Sequence, residues 1–254
     1  MRALGVERLT PPDGADVDVF VMPVQAWTLA EVPLASAAEV ATFVMEKRRN
    51  EHLSGRRLLG EALAARGVRD LSVLEILRDQ YRAPSLHYIQ GVWKRTPLPN
   101  FSISHSEGMV FVALCDGALR VGLDAEPVTR TLAENAFDMM SKGAELERIR
   151  AEPHLAFLAW TGKEAVQKCL GLGMHLNPRE IEIPIGPAVS KFSIENSKIQ
   201  LQYWKEMRYH ISLATAPISP SPPTAEERLL EQTRLAMKEQ PDWGVGCKTQ
   251  RSGV

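Results

Sequence analysis

Between Phe101 and Asp124 the chain alternates apolar runs with tight-turn signals, and this stretch constrains the fold more than any other. Phe101-Ser102-Ile103-Ser104 alternates apolar and polar residues, as a half-buried strand does. His105-Ser106-Glu107-Gly108 follows as a turn, and Met109 to Leu114 is a continuous apolar strand. Asp116-Gly117 is a strong hairpin signal, with Leu119-Arg120-Val121-Gly122-Leu123-Asp124 as the return strand. The middle of the chain is thus expected to be an antiparallel meander, around which the rest must be arranged.

On the N-terminal side, Val17-Asp18-Val19-Phe20-Val21-Met22 reads as a buried strand. Residues 33–48 read as a helix running into the basic cluster Lys47-Arg48-Arg49. A second helix is expected to start at Ser54, as its N-cap, and to stop at Gly67. Residues 73–99, with prolines at 84, 97 and 99, carry no clear period. On the C-terminal side, helical patterns occupy about 131–150 and 153–171, the latter ended by Gly171 and Gly173. Strand-like stretches follow at 180–184, 189–195, 198–204 and 209–215. Ile218-Ser219-Pro220-Ser221-Pro222-Pro223 reads as a linker. A charged surface helix over 224–239 and a poorly ordered end are expected beyond it. A strand, helices and a sheet segment occur on each side of about residue 115, which suggests internal duplication.

Composition narrows the class. Lys+Arg total 30 against 31 Asp+Glu, so the net charge of −1 gives no overall pull towards nucleic acid or an anionic membrane. No run reaches the roughly 18 apolar residues of a membrane span. The N-terminal residues have no long apolar core, so no secretory leader is expected. Cys115, Cys169 and Cys247 are odd in number and far apart, which fits neither a disulfide scaffold nor a zinc site. A cytoplasmic setting follows as the simplest expectation.

Four groups of residues could carry chemistry. In Val121-Gly122-Leu123-Asp124-Ala125-Glu126, strand alternation puts Asp124 and Glu126 on one face and Leu123 and Ala125 on the other. Two carboxylates about 7 Å apart repel each other, and a hard cation such as Mg²⁺ would relieve that repulsion. A strand end running into solvent is the other reading. In Phe157-Leu158-Ala159-Trp160-Thr161-Gly162-Lys163-Glu164-Ala165-Val166-Gln167-Lys168, helical spacing continues an apolar stripe into the Glu164–Lys168 pair. That pair either lines a cleft or is an ordinary surface ion pair. Ser104 and His105 point apart in an extended segment, so they are better placed to donate to an anion or a ring than to form a nucleophile–base dyad, and an ordinary polar turn is the other reading. Arg56 and Arg57, expected in the first turn of a helix, oppose its dipole. With Lys47, Arg48 and Arg49 they form either an anion site or a solvated positive face.

The order of these parts is more telling than any one of them. Asn100-Phe101-Ser102-Ile103-Ser104-His105-Ser106, then Val121-Gly122-Leu123-Asp124-Ala125-Glu126, then Trp160-Thr161-Gly162-Lys163-Glu164-Ala165-Val166-Gln167-Lys168 resembles the three signature motifs of 4′-phosphopantetheinyl transferases, in the larger surfactin-synthetase-activating form. The resemblance covers about residues 17–216 in layout and is strongest over about 100–173. It implies Mg²⁺-dependent transfer of phosphopantetheine from coenzyme A to a serine of an apo carrier protein, with release of 3′,5′-ADP. Mn²⁺ is the expected substitute metal. The carrier could serve fatty-acid, polyketide or nonribosomal-peptide synthesis. A non-catalytic coenzyme A or carrier-binding homologue, and a metal-dependent phosphoesterase, are the competing readings.

The resemblance further implies an α+β fold, a pseudo-dimer of two similar α/β halves, each with an antiparallel sheet packed against helices. The halves would span 1–117 and 118–216, with a flexible tail over 217–254 and the cleft between the halves as the site. A monomer is expected, because one chain carries both halves. By the same resemblance Asp124, Glu126 and Glu164 would hold the metal, with Glu164 as ligand, general base or both. Lys168 would contact phosphate and offset charge on the leaving group. Arg56, Ser104, His105, Lys168 and Asp124 would contact coenzyme A, with Arg56 and His105 near its 3′-phosphate. Lys47, Arg48, Arg82 and Glu145 are weaker candidates. The sequence departs from the family pattern at Arg82-Ala83-Pro84, where many members carry Gly-Lys-Pro. Arg82 or Lys94 is the expected substitute for that lysine.

Overall fold

Two four-stranded antiparallel sheets organise the computed structural model, which describes residues 5–13, 16–92, 95–194 and 196–218. These residues lie in one compact unit that ends at Ile218. The first sheet has the order β1-β2-β6-β5, formed by Glu7–Leu9, Val17–Pro23, Met109–Cys115 and Asn100–Ser106. The second has the order β7-β10-β9-β8, formed by Leu119–Pro127, Tyr209–Pro217, Ser197–Glu206 and Val189–Ile194. A separate hairpin joins β3 (Leu74–Arg78) to β4 (Pro84–Tyr88). The helices are α1 (Ala37–Val40), α2 (Glu46–Ala65), α3 (Phe137–Met140), α4 (Gly143–Ala151) and α5 (Ala156–Leu170).

Strand alternation divides the apolar residues into three layers. Val19, Val21, Phe111 and Ala113 meet Val121, Leu123, Ala125, Ile211 and Leu213 between the two sheets. The outer face of the first sheet, with Phe20, Met22, Val112 and Leu114, is covered by Leu58, Leu59, Ala62 and Leu63 of α2. The outer face of the second, with Leu201, Tyr203 and Ala214, is covered by Ala159, Ala165, Val166 and Cys169 of α5. The order is helix, sheet, sheet, helix, so the fold is α+β, with antiparallel sheets packed against helices as expected.

The expected meander is corrected at its second turn. Met109–Cys115 does pair with Asn100–Ser106, through a turn in which Glu107 and Gly108 both have positive φ. After Asp116-Gly117, however, the chain leaves the first sheet, because β2 and β5 already occupy both edges of β6. β7 pairs with β10 instead. The Asn100 side-chain amide donates to the Leu119 carbonyl (2.7 Å) and fixes this crossing.

Three helix expectations are also corrected. The predicted helix over 33–48 is broken into the four-residue α1 and, from Glu46, the first turn of α2, because Thr42 turns its hydroxyl back to the Glu39 carbonyl (2.7 Å) and Thr42-Phe43-Val44 disfavours continuation. Ser54 is not an N-cap. It lies inside α2, where its hydroxyl accepts from Gln25 N–H (3.0 Å) and donates to the Gln25 carbonyl (3.1 Å). Arg56 and Arg57 are therefore mid-helix, and the cations that oppose the dipole of α2 are Lys47, Arg48 and Arg49 in its first turn. The helix expected at 131–150 is split into α3 and α4 around Ser141-Lys142, where the backbone is extended. The stretch 180–184 is irregular rather than a strand. Gly171, by contrast, closes α5 in the left-handed conformation foreseen for it. Lys94, Cys247 and the predicted helix over 224–239 fall outside the described residues.

One close approach sets the position of α5. A Cβ on Gly122 would lie 1.9 Å from the Ala165 carbonyl oxygen and 2.3 Å from the Cys169 nitrogen, both backbone atoms that cannot yield. Only glycine lets the helix axis come this near the strand. Gly122→Ala should lower unfolding stability by about 2–3 kcal/mol in urea titrations, the scale of overpacking in a closed core. A change near zero would show that the helix rides freely over the strand.

Candidate functional site

The site forms where β5 of the first sheet lies beside β7 of the second. No backbone ladder joins the two strands. Serine hydroxyls on one face of β5 do so instead. Ser102 Oγ accepts from Leu123 N–H (2.9 Å) and Ser104 Oγ from Ala125 N–H (3.3 Å). Ser104 also donates to Asp124 Oδ1 (2.9 Å), and Ser106 donates to Glu126. The hydroxyl of Ser104 is thus committed to the strand crossing and to Asp124. His105, on the opposite face, approaches Glu51 of α2 (3.7 Å) and lines both neighbouring cavities.

Asp124 is 2% exposed. Its Oδ1 also takes the Lys168 ammonium (2.7 Å), while its buried Oδ2 has no hydrogen-bond partner. Glu126 is held by Arg130 through both carboxylate oxygens (3.1 and 2.9 Å), and Arg130 lies over the Phe157 ring. Glu164 stands 3.9 Å from Lys168, one turn away on α5. Burial first, and then the Asp124 carboxylate, push Glu164 up to about 7 against the pull of Lys168. Burial works against the Lys168 charge, but Asp124 and Glu164 outweigh it and raise its pKa.

Two cavities of about 630 and 770 Å³ adjoin along this line and share Arg48, Glu51, Ile103, His105 and Lys168. The larger contains Asp124, Glu126, Glu164 and Arg130, with Lys47 at its edge. The smaller mixes apolar walls, Phe43, Phe101 and Pro84, with the guanidinium-bearing residues Arg56, Arg78 and Arg82. Such a combination suits a ligand with a ring and anionic groups.

The structure therefore brings together Arg48, Arg56, Arg82, His105, Asp124, Glu126, Glu164 and Lys168, with Ser104 behind Asp124. It places Glu145 elsewhere. Glu145 pairs with fully buried Lys163, and its other oxygen accepts from Ile183 N–H (3.2 Å). The Lys163 ammonium also donates to the carbonyls of Met140, Pro178 and Ile181. Glu145 is thus an anchor for the loops beneath α5 and lines neither cavity. Glu51, Glu39, His52, Arg78 and Arg130 went unrecognised in the sequence, and Ser106 was read only as part of its motif. The available signals were the i,i+4 spacings from Lys47 to Glu51, from His52 to Arg56 and from Glu126 to Arg130.

The donor chemistry around Asp124 suits a hard cation: carboxylate oxygens, one of them buried and unpartnered. Among the described residues, no three His, Cys, Asp or Glu side chains are gathered as a metal-binding set. Lys168 and Arg130 neutralise the acids instead. Cys115 and Cys169 are free and buried, and burial pushes both thiols up to about 12, so neither is a nucleophile here. Among the described residues, no helix is long and apolar enough to cross a membrane.

An α+β fold with an acid cluster beside an arginine-lined cavity is suited to a ligand that carries phosphate. Comparison with known families narrows this. Residues 120–214, less than half of the chain, match the family model of the 4′-phosphopantetheinyl transferase superfamily. That stretch holds Asp124, Glu126, Glu164 and Lys168 and runs from β7 into β10. The match supports a transferase of the phosphopantetheinyl type. A search of curated proteins finds no match to the chain.

Two outcomes follow. Lys163→Met should cost about 3–5 kcal/mol of unfolding stability, because it strands the buried Glu145 carboxylate, and adding Glu145→Leu should recover part of the loss. A single variant as stable as the parent would remove Lys163 from the structural framework. The second outcome concerns pH. The folded pKa of Glu164, about 7, lies above its ordinary value of 4.5, so the native state holds this proton more tightly than the unfolded chain. The group's contribution is full below about pH 4.5 and is lost as pH rises through about 7. Metal-free Glu164→Gln should therefore melt a few degrees higher than the parent at pH 8, with the gap closing below pH 5. An equal gap at both pH values would refute the assignment.

Proposed function

We propose that the chain is a 4′-phosphopantetheinyl transferase of the larger, surfactin-synthetase-activating type. It transfers the phosphopantetheine arm of coenzyme A to a serine of an apo carrier protein and releases 3′,5′-ADP. The observation that carries the reading is the convergence of Asp124, Glu164 and Lys168 at the junction of two cavities, one lined by acids and one by arginines. A pyrophosphate bond placed at that junction would have cations on one side and carboxylates on the other.

Each side chain then has a task. Arg56, His105 and Lys168 hold phosphate oxygens, and Lys168 offsets negative charge as the P–O bond breaks. Glu164, up at about 7, is poised to take the proton of the carrier serine at neutral pH. Ser104 holds Asp124 in its rotamer. Asp124 and Glu126, with Glu164, would hold Mg²⁺ or Mn²⁺, which when bound neutralises pyrophosphate oxygens. Loading requires Lys168 to leave Asp124 and Arg130 to leave Glu126. Arg48 and Arg82 line the smaller cavity, and Arg82 stands where the family pattern has glycine before its lysine. The two halves, 1–117 and 118–216, act as one site in a monomer. The carrier approaches the apolar side of the cleft, and the setting is the cytoplasm.

Incubation with coenzyme A, Mg²⁺ and a panel of fatty-acid, polyketide and peptidyl apo-carriers should add one phosphopantetheine mass to a carrier. Asp124→Ala and Glu164→Ala should each reduce the rate by at least about 100-fold while the circular dichroism spectrum is retained. No mass gain on any carrier would overturn the reading. Release of 3′,5′-ADP without a carrier would assign a phosphoesterase instead.

A further inference from the structure

The smaller cavity ends in a cluster of which the proposed transfer uses only Arg56. Glu39, on the short α1, takes two hydrogen bonds from Arg78 on its Oε1. Its other oxygen, Oε2, lies 3.8 Å from Arg56 and 3.8 Å from His52 Nε2. These distances are too long for hydrogen bonds. Arg56 is 4% exposed, yet this loose contact is its only ion pair among the described residues. The His52 side chain is nine-tenths buried, and its Nε2 has no hydrogen-bond partner. The Phe43 ring packs against it, with centroids 5.0 Å apart.

Two buried donors thus face one acceptor that neither reaches. A carboxylate has only two oxygens in one plane, and Arg78 takes one of them. A tetrahedral oxyanion, with three free oxygens, can meet Arg78, Arg56 and His52 together. The charges point the same way. Two guanidiniums against one carboxylate leave a single positive charge, and burial with Arg56 pushes His52 down to about 4, so its ring is neutral. If Glu39 withdraws, two positive charges and a neutral N–H donor remain, which matches a dianion.

We propose that Glu39 is a resident competitor, holding the place of a dianionic phosphomonoester that Arg56, Arg78 and His52 bind when the carboxylate is displaced. Glu39 then sets selectivity. A ligand with a single negative charge gains too little from the two arginines to displace an anion already seated between them. On the transferase reading, the ligand is the phosphomonoester of coenzyme A, and that identification rests on it. The competition itself does not.

Inorganic phosphate at pH 8 is the first probe, read as a melting-temperature titration of the parent, Glu39→Gln and His52→Ala proteins. Glu39→Gln keeps the shape and removes the competing charge, so half-maximal stabilisation should occur at a roughly tenfold lower phosphate concentration. His52→Ala should need several-fold more phosphate. If it fails to fold, His52→Gln, which retains an N–H donor, should stay close to the parent. The second probe is calorimetry with 3′,5′-ADP and 5′-AMP. The preference for 3′,5′-ADP should widen in Glu39→Gln and narrow in His52→Ala. Glu39→Gln needing as much phosphate as the parent, or more, would overturn the proposal and leave Glu39 as a support for Arg78. An unchanged preference between the two nucleotides in both variants would also overturn it. Phosphate titrations as expected, with no carrier modified in the transfer assay, would support the competition and overturn the transferase reading alone.

Discussion

The contact on which the site depends is the line of serine hydroxyls between β5 and β7. Two neighbouring strands would ordinarily join through their own amides and carbonyls. Here Ser102 and Ser104 accept the β7 amides, so the strands are held at a spacing set by side chains. Each hydroxyl has a donor to spare, and Ser104 and Ser106 spend theirs on Asp124 and Glu126. The same atoms therefore hold two sheets together and orient two carboxylates. The Tyr209 hydroxyl, donating to the Ser106 carbonyl (3.1 Å), closes the same crossing from the second sheet.

Around that crossing the charged groups answer one another within the chain. Lys168 sits on Asp124, Arg130 on Glu126, and Arg78 on Glu39. Buried or half-buried charges without partners carry a desolvation penalty of several kcal/mol, so a site built for ions has reason to hold its own when nothing else is bound. The raised pKa of Glu164 shows where this compensation is least complete. The near-neutral sum of 30 basic and 31 acidic residues conceals this local sorting of charge.

How much of this was legible in the sequence depended on the range of the interactions. Strand alternation correctly put Asp124 and Glu126 on one face and Leu123 and Ala125 on the core side, because that geometry is local. The Gly171 terminus and the strands near 189–194 and 209–217 were legible for the same reason. The destination of β7 was not. Asp116-Gly117 announces a tight turn, but whether the next strand returns to β6 depends on β2, about 90 residues earlier, holding the other edge. The start of α2 was misplaced because Ser54 has the chemistry of a cap, while its hydroxyl serves Gln25 across the helix face. Glu145 and Lys163 illustrate the limit for the site. Lys163 neighbours Glu164 in the motif, yet it points into the core while Glu164 faces the cavity. Glu39 carries no motif at all, and only folding brings it to His52 and Arg56, which lie one turn apart on α2.

The pairing of β7 with β10 has a consequence for synthesis. The strand that carries Asp124 and Glu126 gains its sheet partner only when Tyr209–Pro217 has been made. Such distant pairings form late, after long loops have closed. During translation, the first sheet and α2 can assemble while the acidic strand still lacks a neighbour on its far edge. The nascent chain would therefore carry the arginines of α2 before the carboxylates are fixed opposite them. Until residues 209–217 have been made, the face of the first sheet that carries Val19, Val21, Phe111 and Ala113 also lacks the Ile211 and Leu213 side chains that cover it.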